Sequence, residues 1–240
     1  MALSGARRWW RRPKLERLAP RAAFERLAAG YDAQDNPLWV LERPELAALL
    51  PTDLSGLDAA DLGGGTGHWG AELLRRGARR VVVIDLALAM LRAGCAARSG
   101  LGWAQADLLR LPLRSERFDL AVAGCCLSYV ERLDRALLEC ARILRRGGAL
   151  LISDYHPSGM RPGWTRGFAC GGRTIVPHTW EHGPERIAGA ARAAGLELDT
   201  LREVAADDRL QRFDRESRGL EPLSAIRGLP VLLVVRLLRQ

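Results

Sequence analysis

Lysine is almost missing from this chain: of 36 lysines and arginines, only Lys14 is a lysine. Such usage fits a GC-rich coding bias and gives a neutral account of much of the basic character. Apolar runs are short, and none approaches the roughly 20 residues that a membrane-spanning helix needs. Cysteines are few and odd in number, at positions 95, 125, 126, 140 and 170. They show no C-x-x-C spacing, which argues against a disulfide framework or a zinc site and for reduced thiols in the cytoplasm. The four histidines have no metal-ligand spacing, so no metal is expected. There is also no N-P-P-Y-like base-flipping motif and no recognisable RNA module.

What is present is an ordinary globular composition, 48% hydrophobic and 27% charged, in 240 residues. That is enough for one large domain. The charge is uneven. Arg7, Arg8, Arg11, Arg12, Lys14 and Arg17 face only Glu16 in the first twenty residues, so +5 of the net +8 sits there and +3 elsewhere. Residues 1–20 are therefore expected to be a disordered basic tail, with organelle targeting or a nucleic-acid- or membrane-touching arm as alternatives. Residues 21–240 are expected to form a single domain, opened by a helical cap at 21–50. Helix is expected at 22–29 and again at 38–50, the latter divided by Pro44.

From residue 57 strands and helices alternate, the pattern of a parallel sheet with crossover helices. Strands are expected at 57–62, 81–84, 102–105, 118–123, 149–153, 196–204 and 231–238. Helices are expected near 69–76, 87–97, 133–144 and 185–194, and a turn at 145–148. The regularity breaks between 155 and 182, a Gly-, Pro- and aromatic-rich insertion expected to be a lid. Gly171-Gly172 within it suits a hairpin turn.

The chain is organised around L-D-A-A-D-L-G-G-G-T-G-H-W-G at 57–70. A strand runs into Asp61, the backbone turns through glycines, and a helix follows, the way a nucleotide-type cofactor is seated. Gly65, Gly67 and Gly70 fit the dinucleotide fingerprint G-x-G-x-x-G, and Asp85 stands twenty residues after Gly65. The other frame is D-L-G-G-G-T-G, led by Asp61. A carboxylate just before the turn repels a pyrophosphate, which would sit at the helix N-terminus. The ammonium and sulfonium of S-adenosylmethionine would instead be attracted. Asp85 serves either ligand by accepting from ribose hydroxyls.

The order D-L-G-G-G-T-G, V-V-V-I-D, Q-A-D-L-L-R-L-P-L, F-D-L-A-V-A-G-C-C-L-S-Y-V and E-C-A-R-I-L-R-R-G-G-A-L-L-I-S-D resembles the class I S-adenosylmethionine-dependent methyltransferases. Over about residues 24–238 it is most similar to their small-molecule group, which includes biotin-pathway malonyl-carrier and ubiquinone-type enzymes. The resemblance implies an α/β, Rossmann-like sheet of seven mainly parallel strands in the order 3-2-1-4-5-7-6, helices on both faces and the last strand antiparallel. It implies that Asp61, Gly63 and Gly65 hold the methionine end of the cofactor. Asp85, with Leu86 beside it, would take the ribose, and Asp107, with Leu108, the adenine. Cys125 would border the cofactor and acceptor, and Tyr31, in A-A-G-Y-D, would close over the cofactor. Gly64 replaces the family's usual cysteine, a change expected to be harmless. Ser128 stands where many relatives carry histidine.

The acceptor side is less defined by sequence. His156 follows the fifth strand at the carboxyl edge, where a general base would face the acceptor. His178 is the second catalytic candidate, with His182 behind it. Tyr155, Trp164, Phe168 and Trp180 are either an aromatic acceptor pocket or lid packing. The expected function is in-line methyl transfer to an oxygen, nitrogen or carbon of a small or carrier-bound molecule. An NAD-dependent oxidoreductase and an RNA methyltransferase or nucleic-acid-binding protein are the alternatives, though no dense basic patch follows the tail. Oligomeric state is not encoded in any motif.

Overall fold

The computed structural model describes residues 14–34, 36–160, 167–214 and 223–240. In chain order, β1 (Lys14–Leu18) is followed by α1 (Pro20–Leu27) and α2 (Pro37–Ala47). Next come β2 (Asp58–Leu62), α3 (His68–Arg75), β3 (Arg80–Asp85), α4 (Leu88–Ala97), β4 (Gly102–Gln105) and β5 (Phe118–Gly124). The second half adds α5 (Leu133–Ile143), β6 (Leu144–Tyr155), α6 (Pro157–Met160), β7 (Phe168–Cys170), β8 (Arg173–Pro177) and α7 (Pro184–Ala193). It ends with β9 (Leu196–Ala205), α8 (Gln211–Asp214), α9 (Leu223–Ile226) and β10 (Pro230–Arg239).

Seven strands form one sheet in the order β4-β3-β2-β5-β6-β10-β9. Neighbours from β4 to β6 are parallel, and β10 runs antiparallel to both β6 and β9. This is the expected seven-stranded order with the last strand in chain order reversed. Every residue of β2 is buried, as a central strand covered on both faces requires. Alternate side chains serve opposite layers. Ala60 and Leu62 join the core with Leu137 and Cys140 of α5 and Ile187 of α7. Ala59 instead packs with Leu41 of α2 and Leu73 of α3.

Three local expectations change. Residues 14–18 form β1, pairing in parallel with β8, and belong to no tail; Glu16 on that strand accepts from Arg26 and Arg173. Residues 1–13 lie outside the described residues. Pro44 does not divide its helix: α2 is continuous, started by Asn36, whose side chain accepts from Leu38 N. Residues 145–148 make no turn between helix and strand but a bulge inside β6, since Phe118 pairs with Leu144 and Leu120 with Ala149.

The hairpin at Gly171-Gly172 is present. There β7 and β8 pair antiparallel and, with β1, make a separate three-stranded sheet. Ile175 of this sheet packs with Ala23 and Leu27 of α1, and Phe24, Tyr31 and Phe168 close the cluster. The first helix and the late hairpin are therefore one unit.

Candidate active site

The strand order reverses between β2 and β5, and a cleft of about 610 Å³ opens there at the carboxyl ends of the strands. This is where open α/β sheets bind ligands. Asp61, Gly63 and Gly65 form its floor, Asp85, Leu86, Asp107 and Leu108 one side, and Cys125 and Tyr155 the other. Tyr31 and Phe168 border it from the cap. All nine residues expected at the cofactor thus stand around one space.

The glycine turn is shaped by close approach. A Cβ on Gly63 would meet Cys126 Cβ at 2.6 Å, and one on Gly65, at φ +56°, would meet Met90 at 2.9 Å. A Cβ on Gly64 would lie 2.4 Å from Asp61 Cγ. Gly64 is therefore no neutral replacement for cysteine, because the Asp61 carboxylate occupies the side-chain space of position 64. Asp61 itself is fully buried. Its Oδ2 accepts from Gly70 N at 2.7 Å, while Oδ1 is buried with no partner among the described residues.

Burial raises the Asp61 carboxyl to about 7, and the Asp85 and Glu42 carboxylates push it the same way against the Gly70 N–H. Asp85 is also raised, by burial, although its oxygens accept from Gly65 N and Ala87 N. Asp107 accepts from Leu109 N at 2.9 Å, which fixes the turn that carries Leu108. Cys125 adopts φ +49°, an uncommon conformation for a non-glycine residue, with its N–H donating to the Ser153 carbonyl at 2.9 Å. Burial raises Tyr31 well above the usual phenol range.

The turn is clasped from outside by Asp32. It accepts from the Thr66 hydroxyl at 2.6 Å and His68 Nε2 at 3.0 Å, and pairs with Arg98 at 2.9 Å. Arg98 also donates to the Thr66 carbonyl. Burial and Arg98 lower the His68 ring, favouring the neutral form that donates to Asp32.

Neither catalytic candidate borders the cleft. His156 Nδ1 accepts from Ser158 N at 3.1 Å, and Nε2 meets Glu203 of β9 at 3.3 Å, which turns the ring along the sheet edge. His178 is exposed, its N–H bonded to Leu18 O and its ring against Trp180. His182 Nε2 is bonded to Val130 O at 2.8 Å. Of the aromatic candidates, Tyr155 and Phe168 line the cleft, Trp180 does not, and Trp164 lies outside the described residues.

Sequence reasoning missed Glu42, Trp39 and Trp69, all on the cleft wall. Glu42 is 3% exposed, and Oε1 accepts from the Ser153 hydroxyl and from Trp69 Nε1 at 3.2 Å. Its carboxyl is raised by burial against those bonds. Only its place three residues after Trp39 in the helical cap was visible in the sequence.

Residues 60–152 match the methyltransferase domain family. A malonyl-[acyl-carrier protein] O-methyltransferase of Methylococcus capsulatus is 38% identical over 99 residues, which is 40% of this chain and 36% of that protein. A demethylmenaquinone methyltransferase of Thermobifida fusca is 35% identical over 113 residues, 45% and 48% of the two chains. The chain thus spans between about a third and about half of these relatives' lengths. A solved S-adenosylmethionine-dependent methyltransferase of Mesorhizobium loti superposes with a TM-score of 0.68 at 26% identity, covering 85% of this chain and all of that one. Residues 60–152 thus carry a methyltransferase domain, and the chain has the fold of the S-adenosylmethionine-dependent methyltransferases. The methyltransferase cofactor fits the floor of the cleft. A cation is what the unpartnered Asp61 Oδ1 lacks, and the glycine cradle admits a ligand where a Cβ would clash. The dinucleotide reading gains no support, since the buried acid sits under the turn where a pyrophosphate would have to rest.

Proposed function

We propose that the protein transfers a methyl group from S-adenosylmethionine to a small or carrier-bound acceptor. The observation that carries this reading is the buried Asp61 Oδ1, without a partner among the described residues, on the floor of the cleft. In this reading Asp61, Gly63 and Gly65 hold the methionine end, Asp85 and Leu86 the ribose, and Asp107 and Leu108 the adenine. Tyr31 and Cys125 enclose the reacting end. When bound, the cofactor supplies an electrophilic methyl on a cationic sulfur. The protein's own part is to exclude water, neutralise the ammonium and hold the acceptor in line.

The cap of α1, α2 and Phe168 favours a small molecule, or the arm of a carrier, over a nucleic acid strand. No helix among the described residues is long and apolar enough to cross a membrane. None of the five cysteines, all of them among the described residues, forms a disulfide, which supports a cytoplasmic place of action. Calorimetry with S-adenosylhomocysteine tests the proposal: wild type binds, and Asp85→Ala binds at least about tenfold more weakly. Absence of binding to wild type would overturn it.

A further inference from the structure

Apart from Glu72, which pairs with Arg75 and Arg76, and the exposed Asp107, the acidic side chains of the cleft lining are Asp61, Asp85 and Glu42. The methyl-transfer reading uses the first two and leaves Glu42 without a task. Burying a carboxylate costs several kcal/mol unless a partner compensates. Among the described residues no cation forms an ion pair with Glu42. Its bonds come instead from the Ser153 hydroxyl, the Trp69 indole and the Cys125 thiol, neutral donors.

The sheet order says which part of the cleft Glu42 serves. Asp85 and Asp107 belong to the β3 and β4 side, Asp61 stands on the central β2, and Ser153 and Gly124 end β6 and β5 on the far side. A Cβ on Gly124 would lie 2.9 Å from Glu42 Oε1 and 2.6 Å from Trp69 Cδ1, so this glycine keeps the acid and the indole against the sheet. The cofactor groups fill the first side, which leaves Glu42 on the acceptor side. Its neighbours there are aromatic: Trp69, Tyr155 and Tyr129 line the same cleft, with Phe24 packed edge-on to Tyr129 at 5.0 Å. The arginines of the lining, Arg21, Arg43 and Arg75, are all exposed. The interior is therefore acidic and aromatic, and the rim basic.

Resting on the methyl-transfer reading, we propose that Glu42 recognises the acceptor: an aromatic molecule that presents a hydroxyl or amine to this carboxylate. On transfer the heteroatom's lone pair forms the bond to the methyl carbon, and sulfur keeps the pair of the bond it loses. The heteroatom's proton passes to Glu42 and leaves its own electron pair behind. An acceptor that directs a carboxylate inward is rejected, because two like charges would meet in a poorly solvated pocket.

The test uses 2-naphthol and 2-naphthoate, one ring system with the two alternative groups, titrated at pH 8 into protein saturated with S-adenosylhomocysteine. Wild type is expected to prefer 2-naphthol by at least about tenfold. Glu42→Gln should shrink that preference to under about threefold while S-adenosylhomocysteine affinity stays within about threefold. Equal binding of the two probes by wild type, no binding of 2-naphthol, or a preference retained in Glu42→Gln each overturns the assignment. If Glu42→Gln does not fold, the wild-type comparison decides alone. Failure of S-adenosylhomocysteine to bind wild type is a separate result that removes the methyl-transfer reading itself.

Discussion

The carboxylate of Asp61 occupies the space that a side chain on Gly64 would need, with Cγ only 2.4 Å from where that Cβ would be. The two positions are thus coupled: the acid folds back over the turn because residue 64 is bare.

Gly64→Cys restores the residue that the family usually carries here, and the structure says that it should displace the Asp61 carboxylate from its bond with Gly70 N. We expect S-adenosylhomocysteine affinity to fall about tenfold, the equivalent of about 1.4 kcal/mol. Calorimetry on the variant decides; unchanged affinity would mean that Asp61 has a second productive rotamer.

Asp61 also sets a pH dependence. Its carboxyl is raised from the ordinary 3.8 to about 7. In that window the folded protein holds a proton that the unfolded chain has released, so folding stability from this group is fully present below pH 4 and falls as pH rises to about 7. Asp61→Asn should remove that slope, and thermal melts of the ligand-free protein at pH 5 and pH 8 will show it. A bound ammonium favours the ionised form. Cofactor binding at pH 6 should therefore release a proton, measurable as a buffer-dependent heat of binding, and Asp61→Asn should release none.

Asp32 ties the segment before α2 to the cofactor turn through Thr66, His68 and Arg98. Asp32→Ala should free that segment, speeding proteolytic cleavage between α1 and α2 and weakening S-adenosylhomocysteine binding severalfold, as loss of charge-assisted bonds worth about 1.5–3 kcal/mol would do. Asp32→Asn keeps an acceptor for Thr66 and should recover part of both effects.

The opposite end of β2 has a different chemistry. Asp58 is 1% exposed and is held by Arg79 at 2.8 Å, Arg117 at 3.1 Å and Arg145 at 3.4 Å. Arg79 in particular keeps its carboxyl below the usual range. Asp58→Ala removes this partner from Arg79 and Arg117, while Arg145 keeps Asp119 at 2.6 Å; with the arginines part-exposed, the loss should be about 1.5–3 kcal/mol in urea unfolding, with cofactor affinity of the remaining folded protein unchanged.

The sheet and the residues that gather around the glycine turn were legible because their signals are local. Asp61, the glycines, Asp85 and Asp107 each sit at a strand end or just beyond one, so reading the strands places them. What was not legible depends on contacts distant in sequence. Lys14–Leu18 reads as a basic tail until β8 supplies its partner. Glu42 reads as a helix-surface acid until Ser153, 111 residues later, receives it. His156 was placed on the correct edge, but Ser158 N and Glu203 decide where its ring points, and neither announces that in the sequence. The bulge at 145–148 has turn chemistry, with Gly147 at φ +75°, but the strand resumes Leu144's direction on both sides.

The parallel pairing of β1 with β8 has a kinetic consequence. The two strands are far apart in sequence, and their register joins Lys14 to Arg173 and Leu18 to Pro177. Closing so long a loop is entropically costly and is rewarded only once the intervening sheet exists. The cap is accordingly expected to assemble last and to release first. Its cluster, centred on Ala23, Leu27 and Ile175, is small beside the two cores of the main sheet. Phe24, Tyr31 and Phe168 of that cluster line the cleft, so whatever loosens the β1–β8 pairing reaches the cleft before it reaches the paired strands β2 to β6.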